Sequence, residues 1–355
     1  MINLLALGWN DRFAAHFSSL SLDGIIPARV AVQQKHRYML YTAIGERPAE
    51  IAGRIHFQAQ GAEDFPVVGD WVAVRERSGE EMMTILAILP RATRFARKVI
   101  GSRSQEQVVA ANIDTVFIVH GLDTLVNSRR LERYLVLTAE SGAQGVIVLN
   151  KADLANNIGT IVDELRPVAR GTPILPVSAV RGTGLDALLA CLPPGSTGAM
   201  LGPSGVGKST IVNRLLGEER LATGEVRLRD GKGRHTTSHR ELVVLPDGGL
   251  LIDTPGMREL QMWGGEEGVQ EAFDDIDVLA AACKFRDCRH GEEPGCAVRS
   301  ALDDGRLDAA RFASFQKLQK EIAFQLRLVD KTASVKEKQR VKRLTSQHKR
   351  GYRKS

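Results

Sequence analysis

Apolar and polar positions follow two different rhythms along this chain of 355 residues. In the lead-in, Leu7, Phe13, Phe17 and Leu20 recur at near-helical spacing with Asp11 as candidate N-cap, which predicts a short helical segment within residues 1–24. From residue 25 the period shortens. The runs Ala28–Gln33, Tyr38–Ile44, Glu50–Phe57, Asp70–Arg75 and Met82–Leu89 are separated by Gly, Pro and charged turns, so five strands are expected between residues 25 and 100. They suit a small barrel of the oligonucleotide-binding (OB) type, with an SH3-like barrel or an open sheet as alternatives. A basic connector marked by Arg91, Arg94, Arg97, Lys98 and Arg103 follows.

Over residues 101–264 buried-type strands alternate with helices. Thr115–Val119, Gly145–Leu149, Pro173–Val177, Thr197–Leu201 and Leu250–Ile252 read as strands, and Leu131–Ala139, Val162–Ala169, Leu185–Leu192 and the segment carrying Ile211, Val212, Leu215 and Leu216 as helices. That alternation predicts a parallel α/β sheet. Near the end, Phe312, Phe315, Leu318, Ile322, Leu326 and Val329 form an apolar stripe at three- and four-residue steps, as a packed helix requires.

Composition narrows the class. With 43% hydrophobic and 25% charged residues the chain is a globular protein of two or three domains. Met1–Leu7 is apolar but short, without a basic leader or cleavage site, and no run is long enough to span a bilayer, so a cytoplasmic location and no membrane partner are expected. Nothing in the sequence demands more than a monomer. The net charge of +6 is unevenly spread: residues 331–355 hold ten Lys/Arg against the single Glu337, leaving the rest at −3. Such a tail reads as an arm for polyanions, nucleic acid above all. Lys35, His36, Arg37 and Tyr38 could likewise meet RNA phosphate and stack a base.

Chemistry enters at Gly202-Pro203-Ser204-Gly205-Val206-Gly207-Lys208-Ser209-Thr210, a phosphate loop between a strand and a helix. Its glycines let backbone N–H groups close around phosphate, Lys208 would reach the β- and γ-phosphates, and Ser209 would offer its hydroxyl to Mg²⁺. Upstream, Asn150-Lys151-Ala152-Asp153 follows a strand in the arrangement used for guanine. The carboxylate of Asp153 can accept from both N1–H and the exocyclic amine, a donor pair adenine lacks, while Asn150 meets the other edge and Lys151 lies along the base plane. Ser178-Ala179 matches a second guanine loop, with backbone N–H groups for O6.

Downstream, Asp253-Thr254-Pro255-Gly256 ends a strand where a carboxylate would reach Mg²⁺ through water and Gly256 N–H would meet the γ-phosphate. Gly231-Lys232-Gly233-Arg234-His235-Thr236-Thr237 could order around the γ-phosphate, with Thr236 or Thr237 as Mg²⁺ ligand. Base-reading motifs therefore precede the phosphate loop, the reverse of ordinary small GTPases, so the domain is expected to be circularly permuted. Met257 stands where many small GTPases place a water-orienting glutamine, which predicts slow intrinsic hydrolysis and makes His235 the candidate substitute. Finally, Cys283, Cys288, His290 and Cys296 supply three thiolates and an imidazole, a closed tetrahedral set for one structural Zn²⁺. Cys191, alone on an apolar helix, reads as a core thiol.

Together these motifs resemble, over about residues 25–330, the circularly permuted RsgA/YjeQ GTPases of late small-subunit assembly. The resemblance implies a multidomain chain: an N-terminal OB-type β-barrel (25–100), a central α/β P-loop GTPase domain (101–264) and a C-terminal α-helical zinc-binding domain (265–330). A lead-in (1–24) and a basic tail (331–355) flank them. It further implies GTP with Mg²⁺ as substrate, hydrolysis stimulated by the 30S subunit, and 16S rRNA as contact. A P-loop ATPase or small-molecule kinase, and a nucleic-acid-binding module that merely holds GTP, remain open; the first leaves Asn150–Asp153 unexplained.

Overall fold

In the lead-in, helix α1 (Asp11–Ser18) begins where the Asn10 side chain accepts from Phe13 N–H at 3.2 Å. Asn10, not Asp11, is therefore the cap; Asp11 becomes the first helical residue, where its charge still complements the helix dipole. The computed structural model describes residues 2–34, 37–77, 81–99, 105–218, 240–253, 273–285, 287–291 and 293–320. Residues 1–97 with 107–260 form one compact unit, and 98–106 with 261–355 another.

Five strands, β1 (Ile26–Gln34), β2 (Arg37–Thr42), β3 (Gly45–Ile51), β4 (Trp71–Glu76) and β5 (Met83–Ile88), run in the order β1-β2-β3-β5-β4, and β4 pairs back onto β1. The closure selects the OB-type barrel over an open sheet. Val30, Leu40, Val72, Val74 and Ile85 fill its interior. The expected strand Glu50–Phe57 is corrected: β3 stops at Ile51 and helix α2 (Gly53–Gln58) follows. Ile51 and Ile55 both pack on the barrel core, as either a strand or a helix would allow, but Phe57, which a continuing strand would turn to that same face, is 92% exposed because the chain has become helical. The supposed basic connector is also partly strand, since β6 (Arg94–Val99) and β7 (Gln105–Ala111) make a two-stranded sheet.

The α/β portion then follows as β8 (Thr115–Gly121), α3 (Ser128–Ser141), β9 (Gln144–Asn150), α4 (Ile158–Ala169), β10 (Ile174–Pro176), α5 (Leu185–Ala190), β11 (Thr197–Leu201), α6 (Lys208–Leu216), β12 (Arg240–Val244) and β13 (Leu250–Asp253). Strands β10-β9-β8-β11-β13 are parallel. Phe117, Val119, Val148, Leu188, Ile211 and Leu251 make the core under them, with Cys191 half-buried against it rather than inside it. Strand β12, absent from the sequence reading, pairs antiparallel with β13 on one side and with β1 on the other, through Val32 opposite Glu241. Barrel and α/β sheet thus share one run of backbone hydrogen bonds.

Arg29 ties the same parts through its side chain. It is 1% exposed, donates to the carbonyls of Gly69 (3.3 Å), Asn112 (3.0 Å) and Leu7 and to Thr197 Oγ1 (2.8 Å), and lies 5.6 Å from the Trp71 ring. Burial pulls its guanidinium down to about 10, so it is a cation at neutral pH. Arg29→Met removes the charge but leaves these acceptors buried, and is expected to cost about 3 kcal/mol of unfolding free energy. An unchanged urea midpoint would contradict this.

In the second unit, α7 (Asp274–Ala281), α8 (Ala297–Asp303) and a helix over residues 309–320 bury Phe273, Ile276, Val298, Phe312, Phe315 and Leu318. Arg311 grips Asp275 with two bonds (2.8 and 2.9 Å) and lies 4.6 Å from the Phe273 ring. Ile322, Leu326, Val329 and the basic tail lie outside the described residues. No helix among the described residues is long and apolar enough to cross a membrane.

Candidate nucleotide site and metal centre

Because five strands run parallel, the loops after their carboxyl ends lie along one sheet edge, where α/β folds bind ligands. β11 runs into the phosphate loop and β9 into Asn150–Asp153. β10 leads to Ser178-Ala179, and β13 ends at Asp253. Two glycines of the phosphate loop are fixed by crowding as well as backbone angle. At Gly202 (φ +150°) a Cβ would stand 2.3 Å from the Val119 carbonyl oxygen; at Gly207 (φ +92°) it would stand 2.3 Å from Asn150 Nδ2. Lys208 and Ser209 open α6, so the first-turn N–H groups and the positive helix end face the loop. Lys208 Nζ curls back to donate to the carbonyls of Gly202 (2.7 Å) and Pro203 (2.6 Å).

Asn150 joins three loops. It is 2% exposed, its Nδ2 donates to Val206 O at 2.8 Å and its Oδ1 accepts from Ala179 N–H at 3.1 Å. Ala152 N–H meets Val177 O at 3.0 Å, which holds the Asn150–Asp153 turn beside the Ser178-Ala179 loop. The Ser178 hydroxyl donates to Asp153, and that bond holds the Asp153 carboxyl below the usual carboxylate range. Asp153 is therefore ionised at neutral pH and aligned, as an acceptor for two base N–H groups must be. Lys151 takes the left-handed conformation (φ +61°), and its ammonium lies 2.6 Å from Asp123.

Asp123 and Arg214 were missed by sequence reasoning. The signal for Asp123 was available, since the loop after β8 must share the edge with the loop after β9. Arg214 bonds the Ser178-Ala179 loop from the last turn of α6. Asp253 occupies the end of β13, its backbone paired opposite Glu241. His235, Thr236, Thr237 and Gly256 lie outside the described residues, as do Thr254, Pro255, Met257, Lys35 and His36.

In the other unit, Cys283, Cys288, His290 and Cys296 bring their donor atoms within 4.8 Å of one another. None of these three cysteines is in a disulfide, and His290 (φ +59°) and Gly295 (φ +76°) make the turns that gather the set. The spacing tests the fit to zinc directly. Zn–S bonds of about 2.3 Å and a Zn–N bond of about 2.0–2.1 Å in a tetrahedron require edges of about 3.8 Å between sulfurs and about 3.6 Å between sulfur and nitrogen. Cys283 Sγ and Cys296 Sγ are 3.8 Å apart, and each is 3.6 Å from His290 Nδ1. Cys296 also caps α8, its Sγ accepting from Arg299 N–H at 3.4 Å.

An OB-type barrel, a P-loop domain in which Asn150–Asp153 and Ser178-Ala179 precede the phosphate loop, and a Cys₃His centre define a circularly permuted GTPase. The family model described as RsgA GTPase matches residues 88–263. An ABC transporter model also matches residues 185–344, a span that includes the phosphate loop. The chain is 48% identical to the small ribosomal subunit biogenesis GTPase RsgA of Opitutus terrae, over 97% of this chain and 96% of that protein. It is 43% identical to RsgA 1 of Oceanobacillus iheyensis, over 95% and 97%. The crystal structure of YjeQ from Thermotoga maritima superposes with a TM-score of 0.63 at 25% identity, covering 84% of this chain and 99% of that one. This chain belongs to the RsgA GTPase family.

Proposed function

We propose that this chain is a GTPase of small-subunit biogenesis that binds the 30S ribosomal subunit during late maturation and couples GTP hydrolysis to its release. The observation that carries the nucleotide half is the chain of bonds from Val206 through Asn150 and Ala179, with Ser178 on Asp153. It joins a phosphate loop to an aligned carboxylate that adenine cannot satisfy. The subunit half is supported by the names of the relatives, and 16S rRNA contact by the barrel and by the +9 charge of residues 331–355.

In this reading Lys208 leaves the Gly202 and Pro203 carbonyls for the β- and γ-phosphates, and backbone N–H groups of Gly202–Thr210 cradle them. Asn150, Lys151, Ala152, Asp153, Ser178 and Ala179 hold the base. Mg²⁺, when bound, offsets phosphate charge; Ser209, Asp253 and Thr236 or Thr237 are its proposed holders. Gly256 N–H senses the γ-phosphate, and His235 orients water in the position that Met257 leaves without a glutamine. The Cys₃His set holds one structural Zn²⁺ with no open position. The protein works as a cytoplasmic monomer.

The test is GTP turnover alone and with purified 30S, 50S and 70S particles. Stimulation by 30S alone is expected, and indifference to all three would overturn the proposal.

A further inference from the structure

Helix α6 carries Lys208 and Ser209 in its first turn and Arg214 in its last. From that position Arg214 Nε donates to Ala179 O at 3.0 Å and Nη2 donates to Val180 O at 2.9 Å. Both carbonyls belong to the loop that presents Ser178 to Asp153 and Ala179 N–H to Asn150. The loop closes on itself through Ser178 N–H to Thr183 O (2.9 Å) and Gly182 N–H to Ser178 O (2.8 Å), and Gly182 and Gly184 take left-handed angles. Its tip is bare, with Val180 exposed. These internal bonds shape the loop, and it is the Asn150 side chain, between Ala179 N–H and Val206 O, that links it to the phosphate loop. Arg214 supplies a tie from the phosphate-binding helix itself.

We infer that Arg214 is a positioning residue for base specificity: it locks the guanine-reading loop to the helix that begins at Lys208, so that base and phosphates are gripped by one rigid piece. The inference rests on the guanine-nucleotide reading above. The planar guanidinium meets the two successive carbonyls with two separate nitrogens held in a rigid fork, whereas a lysine would have to bring one ammonium nitrogen on a flexible stem to both. With the tie cut, the Ser178-Ala179 loop drifts relative to the phosphates, and the contacts to O6 and through Asp153 loosen while the phosphate cradle is unchanged. Arg214 is itself exposed, so its two bonds are partly screened and their effect is moderate.

The test compares GDP and ADP affinities of the full chain and of Arg214→Ala and Arg214→Lys by equilibrium displacement of a fluorescent guanine nucleotide. Arg214→Ala is expected to weaken GDP about tenfold and ADP less than about twofold, with faster GDP release. Arg214→Lys, which keeps the charge, is expected to recover less than half of that loss on a logarithmic scale. Parallel losses of GDP and ADP would assign Arg214 a general structural role, and unchanged GDP affinity would remove the tie; either overturns the inference. Failure of the underlying reading is separately visible, because the unaltered chain would then bind ADP as tightly as GDP.

Discussion

Asn150→Ala is expected to weaken guanine-nucleotide binding by about a hundredfold or more. The side chain is buried at the joint of three loops, and its truncation strands Val206 O and Ala179 N–H, each losing a partner at 2.8 and 3.1 Å. An unmet buried backbone group costs about 1–3 kcal/mol, and two of them give the hundredfold. The loss exceeds that of any single base contact because Gly207, whose Cα faces Asn150 Nδ2, depends on the same joint for its conformation. Asn150→Asp should fall nearly as far, since a carboxylate can accept from Ala179 but repels the Val206 carbonyl. Dissociation rates of fluorescent GDP read both variants; a loss below about fivefold in Asn150→Ala would contradict the account.

The second large effect lies in the metal centre. Cys296→Ser is expected to lose one bound zinc per chain and to unfold residues 273–320, because the apolar core there is small. Among the described residues Phe273, Ile276, Val298, Leu307, Phe312, Phe315 and Leu318 are nearly all of it. Segments of this size seldom hold a fold on apolar burial alone, and structural zinc contributes about 10–16 kcal/mol in isolated finger peptides. Cys296 is the most demanding ligand to replace, being buried and also the cap of α8. Metal analysis together with limited proteolysis decides it. A variant that keeps one zinc, or loses it without new cleavage between residues 273 and 320, would contradict the prediction.

The sequence was most informative where chemistry is local. The phosphate loop, Asn150–Asp153 and the Cys₃His spacing each lie within a short run, and their residue types have few other uses in combination. The α/β strands were legible for the same reason: runs such as Thr115–Val119 are apolar on both faces because both faces are covered. Long-range features stayed hidden. Arg29 reads as one polar position in a β-rich run, and only the fold brings it to Gly69, Asn112 and Thr197. Strand β12 pairs with partners about two hundred residues upstream as well as with β13, and nothing in Arg240–Val244 names either. Helix α2 was mistaken for strand because Ile51 and Ile55 fit both periods over so short a span. Asp123 and Arg214 hold other residues of the site, so no motif spacing marks them.

The central claim is that Asp153, aligned by Ser178, makes this site read guanine. Its most direct test is the nucleotide preference of Asp153→Asn, measured with GTP and xanthosine triphosphate. An amide in place of the carboxylate can donate to the 2-oxo group of xanthine but cannot accept from both guanine N–H groups. The account predicts that GTP affinity falls by roughly a hundredfold and that the variant prefers xanthosine triphosphate. A variant that still prefers GTP would contradict it.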